Sequence, residues 1–368
     1  MGFRYRSIRA KTFFLVLMPL LSLVGLSIFA TAVAANDAIA LERSTAVRDS
    51  IADPIGLFAA QVQQERLAAA VFLAHPSGQA AAGLSAQEPK TNAALSTVRT
   101  AVASVVADGD PDVRSAISAM LQETAGLSAL RAQVSSKSVS KAAAEQAYTA
   151  VIVAGYRAIG ASFLQMPNVH LVNQSSAVLR VAEAEDALLQ AQALLAADAA
   201  AGSFPAADRA RFAMLTGEYQ GLLDEALPEL DPEYRAPFGK VTGSQQATTL
   251  NALDGRVINA PPGKTGVSAS DYGRVVQTVA LGLAVTAFSV GQQLAGALHA
   301  AAGPINVRLA VTGGVGLAAI IASIVLSVWI GRGIVRELAA LRGEALELAR
   351  RRLPEGVAGM AQRSARAS

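Results

Sequence analysis

Apolar residues recur along the chain in two patterns that predict different kinds of helix. Two runs, 13–35 and 309–330, contain no charged residue, and each is long enough as a helix to cross the roughly 30 Å hydrocarbon core of a bilayer. Between them, residues 36–308 place apolar positions at alternating spacings of three and four, which is the period of helices with one buried face. The pattern predicts an all-α protein in which two transmembrane helices flank a large helical domain.

Short stretches rich in glycine, proline or serine divide the central domain into helical segments. They lie at 76–78, 109–111, 135–140, 202–205, 228–237 and 260–266. Long apolar stripes joined by short breaks are typical of antiparallel up-and-down bundles. One segment, 275–291, rivals the two spans in apolar character. A third span would place the basic C-terminal segment outside, against the positive-inside rule, so we predict a buried bundle helix there.

The distribution of charge gives the orientation of the predicted spans. The chain carries a net charge of +3, which divides into +4 over residues 1–12, −5 over 36–308 and +4 over 331–368. Basic residues confined to segments beside apolar runs indicate cytoplasmic flanks rather than a nucleic-acid surface. We therefore expect a two-pass protein of the cell membrane, in contact with the lipid bilayer, with both termini cytoplasmic and the central domain extracellular.

Each span has an alternative interpretation. Residues 32–34 of the first run also fit the cleavage site of a signal peptide, which would export the central domain just the same. In the second run, Gly314, Ala318 and Ala322 form a small-residue face that favours a homodimer through this span. The alternative is the general alanine richness of the chain.

Charged residues on the apolar stripes are the candidate chemistry. Glu65 and Arg131 fall on the buried seams of their helices, and Arg66 lies beside the first seam. A charge in a bundle core costs several kcal/mol unless it is paired. The sequence leaves three interpretations: a buried Glu65–Arg131 ion pair, a seam open to solvent, or an anion site in which guanidinium groups bind a small planar oxyanion.

Several short motifs follow one another in a recognisable order. They are Gln63–Leu67, Lys90–Ala94, Leu127–Arg131 and Ala147–Ile152, followed by Gly202–Phe204 and 228–243. In order and spacing they resemble the nitrate- and nitrite-sensing (NIT) domain of actinobacterial membrane sensor histidine kinases, over most of residues 48–300.

The resemblance implies an ectodomain of two packed four-helix bundles whose arginines bind nitrate or nitrite. By matching motif it implies Arg66 and Arg131 as ligand contacts and Glu65 as their orienting partner, with Arg99 added by helical proximity. The second half departs from the family, because Ala191 and Gln192 stand where relatives carry another Glu-Arg pair.

The segment after the second span predicts an output but no enzyme. Residues 331–353 keep coiled-coil spacing and resemble the first helix of a HAMP linker, followed by a polar tail at 354–368. The alternative is an amphipathic helix lying on anionic lipid. No histidine follows residue 330 and the chain has no cysteine, so we expect neither kinase activity nor thiol chemistry, and no cofactor or metal.

The expected function is a receptor that senses nitrate or nitrite outside the cell and signals to an unidentified cytoplasmic partner. The alternatives are a non-enzymatic envelope scaffold and a truncated sensor histidine kinase.

Overall fold

The computed structural model describes residues 51–298, except 109, 165 and 167, together with the helical residues 321 and 325. The predicted basic N-terminus, first span, signalling helix and polar tail lie outside the described residues, as does the second span apart from Ile321 and Val325. All contacts below lie within one compact unit of the chain, Ile39–Ala302.

The described residues form ten helices and no strand. The helices are α1 (51–74), α2 (Gly78–Asp108), α3 (Pro111–Ala125), α4 (Leu127–Ser135), α5 (Lys141–Phe163), α6 (Val169–Ala201), α7 (Ala206–Glu229), α8 (Pro232–Thr242), α9 (Gln245–Ile258) and α10 (Ala269–Leu298). The all-α prediction is confirmed for this part of the chain.

The helices pack as two bundles with the same order of elements. The first bundle consists of α1, α2, the rod formed by α3 and α4, which is broken at Gly126, and α5. The second bundle consists of α6, α7, the rod formed by α8 and α9, which is broken near Gly243, and α10. Helices α5 and α6 join the two bundles. This arrangement agrees with the expected pair of four-helix bundles.

Local signals at the helix ends explain why the rods begin and end where they do. Asp110 and Asp231 each precede a proline in the first turn of a helix, where the missing N–H costs nothing. The Asp110 side chain also accepts a hydrogen bond from the Asp112 N–H at 2.9 Å. Helix α6 ends at Gly202 with φ 71°, a left-handed conformation that favours glycine.

Helix α10 contains the segment that rivals the spans in apolar character. Val276, Leu283 and Val290 are fully buried in the second bundle, whereas Leu281 and Phe288 are 65% and 54% exposed. By length and composition, α10 is the one helix in the described part of the chain that qualifies as a membrane span. The prediction of a buried bundle helix is therefore right for one face of α10 and wrong for the other.

Candidate functional site

Arg66 of α1 lies at the junction of the two bundles. Its side chain is 1% exposed and forms a two-pronged ion pair with Asp186 of α6, with Nη2 2.8 Å from Oδ1 and Nη1 3.2 Å from Oδ2. The stripe analysis placed Arg66 on the flank of α1. Helix α6 packs against this flank and buries it, together with Val62 and Ala69.

The Asp186 carboxylate accepts four side-chain hydrogen bonds. Besides the two from Arg66, Gln63 Nε2 donates to Oδ1 at 3.0 Å and Gln190 Nε2 donates to Oδ2 at 2.9 Å. We call Arg66, Gln63 and Gln190 with this carboxylate the Asp186 cradle. In the cradle, hydrogen-bond donors surround a planar oxyanion, and this oxyanion is a carboxylate of the protein itself.

One donor of Arg66 is not used by the cradle. Nη1 also donates to Thr149 Oγ1 at 3.0 Å, but Nε is buried without a hydrogen-bond partner among the described residues. A buried donor left unpaired costs about 1–3 kcal/mol. The guanidinium therefore retains capacity for one further acceptor.

Glu185 and Tyr156 border the cradle and contribute little charge. Gln63 Nε2 also donates to Glu185 Oε2 at 3.2 Å and to the Tyr156 hydroxyl oxygen at 3.3 Å. Burial, with a smaller contribution from Asp186, raises the pKa of Glu185 to about 8, and burial raises the pKa of Tyr156 well above its usual value. At neutral pH both groups are mostly protonated, so the local charge is that of the Arg66–Asp186 pair.

Glu65 and Arg131 form a second buried pair inside the first bundle. Arg131 donates through Nε and Nη2 to the two oxygens of Glu65, both at 2.8 Å, and the Tyr148 hydroxyl donates to Oε1 at 3.1 Å. Arg131 Nη1 donates to Asn92 Oδ1 at 2.7 Å. The hydrogen bond to Glu65 raises the pKa of Arg131. The predicted pairing is confirmed, whereas a ligand contact by either residue stays a prediction.

The sequence-predicted residues are only partly brought together. Arg66 and Glu65 are neighbours on α1 that face different partners, and Arg99 is exposed on α2 and belongs to neither cluster. Sequence reasoning missed Asp186. The available signal was an acidic pair, Glu185 and Asp186, in an otherwise alanine- and leucine-rich segment.

The second bundle has an uncharged pair at Gln192, the position where the sequence departs from the family. Gln192 Oε1 accepts a hydrogen bond from Gln277 Nε2 of α10 at 2.9 Å, which is an uncharged pair. The described part of the chain also holds no group of His, Cys, Asp or Glu side chains placed to bind a metal ion. The two arginine–carboxylate pairs described above both involve a residue of α1.

The described part of the chain is thus a helical domain of two bundles, joined by a buried arginine–carboxylate pair. A family model described as nitrate and nitrite sensing, NIT, matches residues 58–298, which is more than half of the chain. The chain belongs to the NIT family.

A search of solved structures finds one similar fold. The structure of the NasR transcription antiterminator resembles this chain with a TM-score of 0.64 over 84% of this chain and 86% of that chain. The two are 17% identical in sequence, so the likeness establishes the fold alone. None of the curated proteins matches the chain.

Proposed function

We propose that this protein is a membrane receptor whose helical domain binds nitrate or nitrite at Arg66. The observation that carries the proposal is the state of this guanidinium. It is buried, it holds a planar carboxylate through two nitrogens, and its Nε is unpartnered among the described residues. A planar, permanently charged fork of donors suits a planar oxyanion.

The ligand competes with Asp186 in this proposal. Nitrate, nitrite and a carboxylate are all planar and carry one negative charge, and Arg66 supplies one positive charge. A second anion beside the intact pair would lack a counter-charge in a buried position, which is costly. The incoming oxyanion therefore takes the place of the Asp186 carboxylate, with Gln63 and Gln190 as further donors.

Exchange of the counterion supplies the conformational signal. Arg66 belongs to the first bundle and Asp186 to the second, so the ion pair ties α1 to α6. Helix α1 follows the first predicted span in sequence, and α10 precedes the second. Loss of the tie shifts the two bundles, and a homodimer through the second span passes the shift to the HAMP-like helix at 331–353 and to a cytoplasmic partner. The chain itself is not an enzyme in this scheme.

Calorimetric titration of the full-length chain in lipid nanodiscs tests the binding site. We expect heat from nitrate and nitrite but not from equimolar chloride, and at least a tenfold loss of affinity in Arg66→Met. Arg99→Met is the matched control, because Arg99 is exposed and outside both clusters, and it should bind as wild type. Equal binding by Arg66→Met and wild type would refute the assignment.

The topology can be tested because the chain has no cysteine. Single cysteines at Lys137, in the loop after α4, and at Ser364, in the predicted cytoplasmic tail, are treated in intact cells with a membrane-impermeant maleimide. We expect labelling at 137 only. Labelling at 364, or at neither position, would contradict the proposed orientation.

A further inference from the structure

An apolar groove, which meets the Asp186 cradle at Gln63, runs between the two bundles. It encloses about 240 Å³ between α1, α5, α6 and α10. Small side chains leave this space, among them Gly56 and Ala60 on α1, Ala182 on α6 and Ala284 on α10. Gly56, Ala60 and Ala284 are exposed, so the groove opens to the surface between α1 and α10.

Ser175 provides a hydrogen-bonding group at one end of the groove. The residue is 2% exposed and lines the groove, and its Oγ has no hydrogen-bond partner among the described residues. A buried hydroxyl without a partner costs about 1–3 kcal/mol. Such a group in an otherwise apolar wall indicates a ligand with a matching polar atom.

Glu185, Gln63 and Tyr156 form the other end. Glu185 lies ten residues after Ser175 on α6, which corresponds to roughly 15 Å along the helix axis. Its Oε2 accepts a hydrogen bond from Gln63 Nε2 at 3.2 Å. The groove therefore presents hydrogen-bonding groups at both ends of a long apolar wall.

Charge and size restrict what the groove can hold. Asp53 is acidic, Glu185 is mostly protonated at neutral pH, and no lysine or arginine lines the groove. An anion would find no cationic partner there, so nitrate is not its ligand. The two hydrogen-bonding ends of the groove lie roughly 15 Å apart along α6. A single extended chain of atoms fits.

We propose that the groove binds an uncharged linear amphiphile, a medium-chain alcohol in class, with its chain along α6 and its polar group at Ser175 or Glu185. This site shares Gln63 with the Asp186 cradle, but Arg66 does not line it. Burial raises the pKa of Glu185 to about 8, which keeps the carboxyl group a donor for a hydroxyl oxygen at neutral pH.

Photolabelling tests the proposal on the full-length chain in nanodiscs. The probe is a diazirine analogue of 1-octanol, and adducts are mapped by mass spectrometry with and without excess 1-decanol. We expect adducts on Tyr156 or Glu185 that 1-decanol suppresses and decanoate does not. In Gly56→Leu, where an added Cβ meets nothing within 4 Å, the new side chain fills the groove and labelling should fall at least fivefold.

Two further variants distinguish a filled groove from a misfolded protein as the cause of lost labelling. Gly217→Leu is the matched control, since Gly217 is an exposed helical glycine of α7 with the same open surroundings, and it should label as wild type. Ser175→Ala should weaken 1-decanol competition severalfold while it raises the melting temperature. Unchanged labelling in Gly56→Leu would overturn the proposal. The proposal would also be overturned if decanoate suppressed labelling as well as 1-decanol does, or if labelling fell only when a second copy of the chain was crosslinked across the groove.

Discussion

Replacing Asp186 with asparagine removes the counterion of Arg66 and keeps the shape of the side chain. Arg66 is 1% exposed, and removing one partner of a buried ion pair costs about 3–5 kcal/mol. For a domain of this size, each kcal/mol shifts the melting temperature by roughly 2–4 °C. Asp186→Asn should therefore melt roughly 6–20 °C below wild type in a chloride buffer.

Nitrate should reverse much of this loss, because it supplies the missing negative charge. A ligand that binds only the folded state at 100 times its Kd adds about 2.7 kcal/mol of stability. In wild type the same ligand must first displace Asp186, so its stabilisation is smaller. The assay is thermal unfolding of the full-length chain, followed by circular dichroism, in nitrate and chloride at equal ionic strength.

Asp254→Asn is the matched control for the loss of a buried carboxylate. Asp254 is 3% exposed and accepts a hydrogen bond from the Tyr272 hydroxyl at 2.8 Å, and no arginine among the described residues forms an ion pair with it. We expect its melting temperature to be insensitive to the choice of nitrate or chloride. A nitrate effect no larger in Asp186→Asn than in wild type, or an equal effect in Asp254→Asn, would refute competition at Arg66.

Three further predictions follow from single features of the fold. Burial raises the pKa of Glu185 from 4.5 to about 8, so the folded state keeps this proton to higher pH than the unfolded state does. The free energy of unfolding should therefore fall as the pH rises from about 4.5 to 8. Urea denaturation across this range should show a shallower fall in Glu185→Gln than in wild type. Arg131→Met leaves the fully buried Glu65 unpaired and should cost about 3–5 kcal/mol, whereas a double-mutant cycle with Glu65→Gln should give a loss well below the sum of the single changes. Gly266→Ala should destabilise by at least about 1 kcal/mol, since φ is 70° and the new Cβ would lie 2.7 Å from the Arg256 carbonyl oxygen; an unchanged melting temperature would contradict it.

The helix ends were largely predictable because they depend on local chemistry. The predicted breaks at 109–111 and 202–205 fall at helix ends. Of the predicted break at 228–237, only residues 230 and 231 are non-helical, and Pro228 and Pro237 lie inside helices. The break that separates the two bundles, between Phe163 and Val169, was not among the predicted ones. The spacing of apolar residues in the sequence indicates the period of each helix, but it does not indicate which helices pack in the same bundle.

The candidate site was predictable only where a charge fell on a recognisable seam. Glu65 and Arg131 did so, and their pairing followed. Asp186 did not, because α6 packs against both bundles and is buried on several faces, with Ala184, Ala187 and Leu188 all at most 1% exposed. On such a helix the pattern of apolar positions does not single out one face, and the partner of Asp186 lies 120 residues away in sequence.

The contact between the two bundles at Arg66 and Asp186 is an ion pair rather than an apolar contact, and this difference matters for signalling. Apolar side chains of similar volume would hold α1 and α6 together at least as well, since the cost of removing two charges from water offsets most of their attraction. They could not, however, be separated by an anion. An ionic tie can be opened when a competing oxyanion takes over one partner, and the uncharged Gln192–Gln277 pair of the second bundle offers no such exchange. In the proposed function, the junction at Arg66 is therefore the place where binding of a small anion becomes a change in how the two bundles pack.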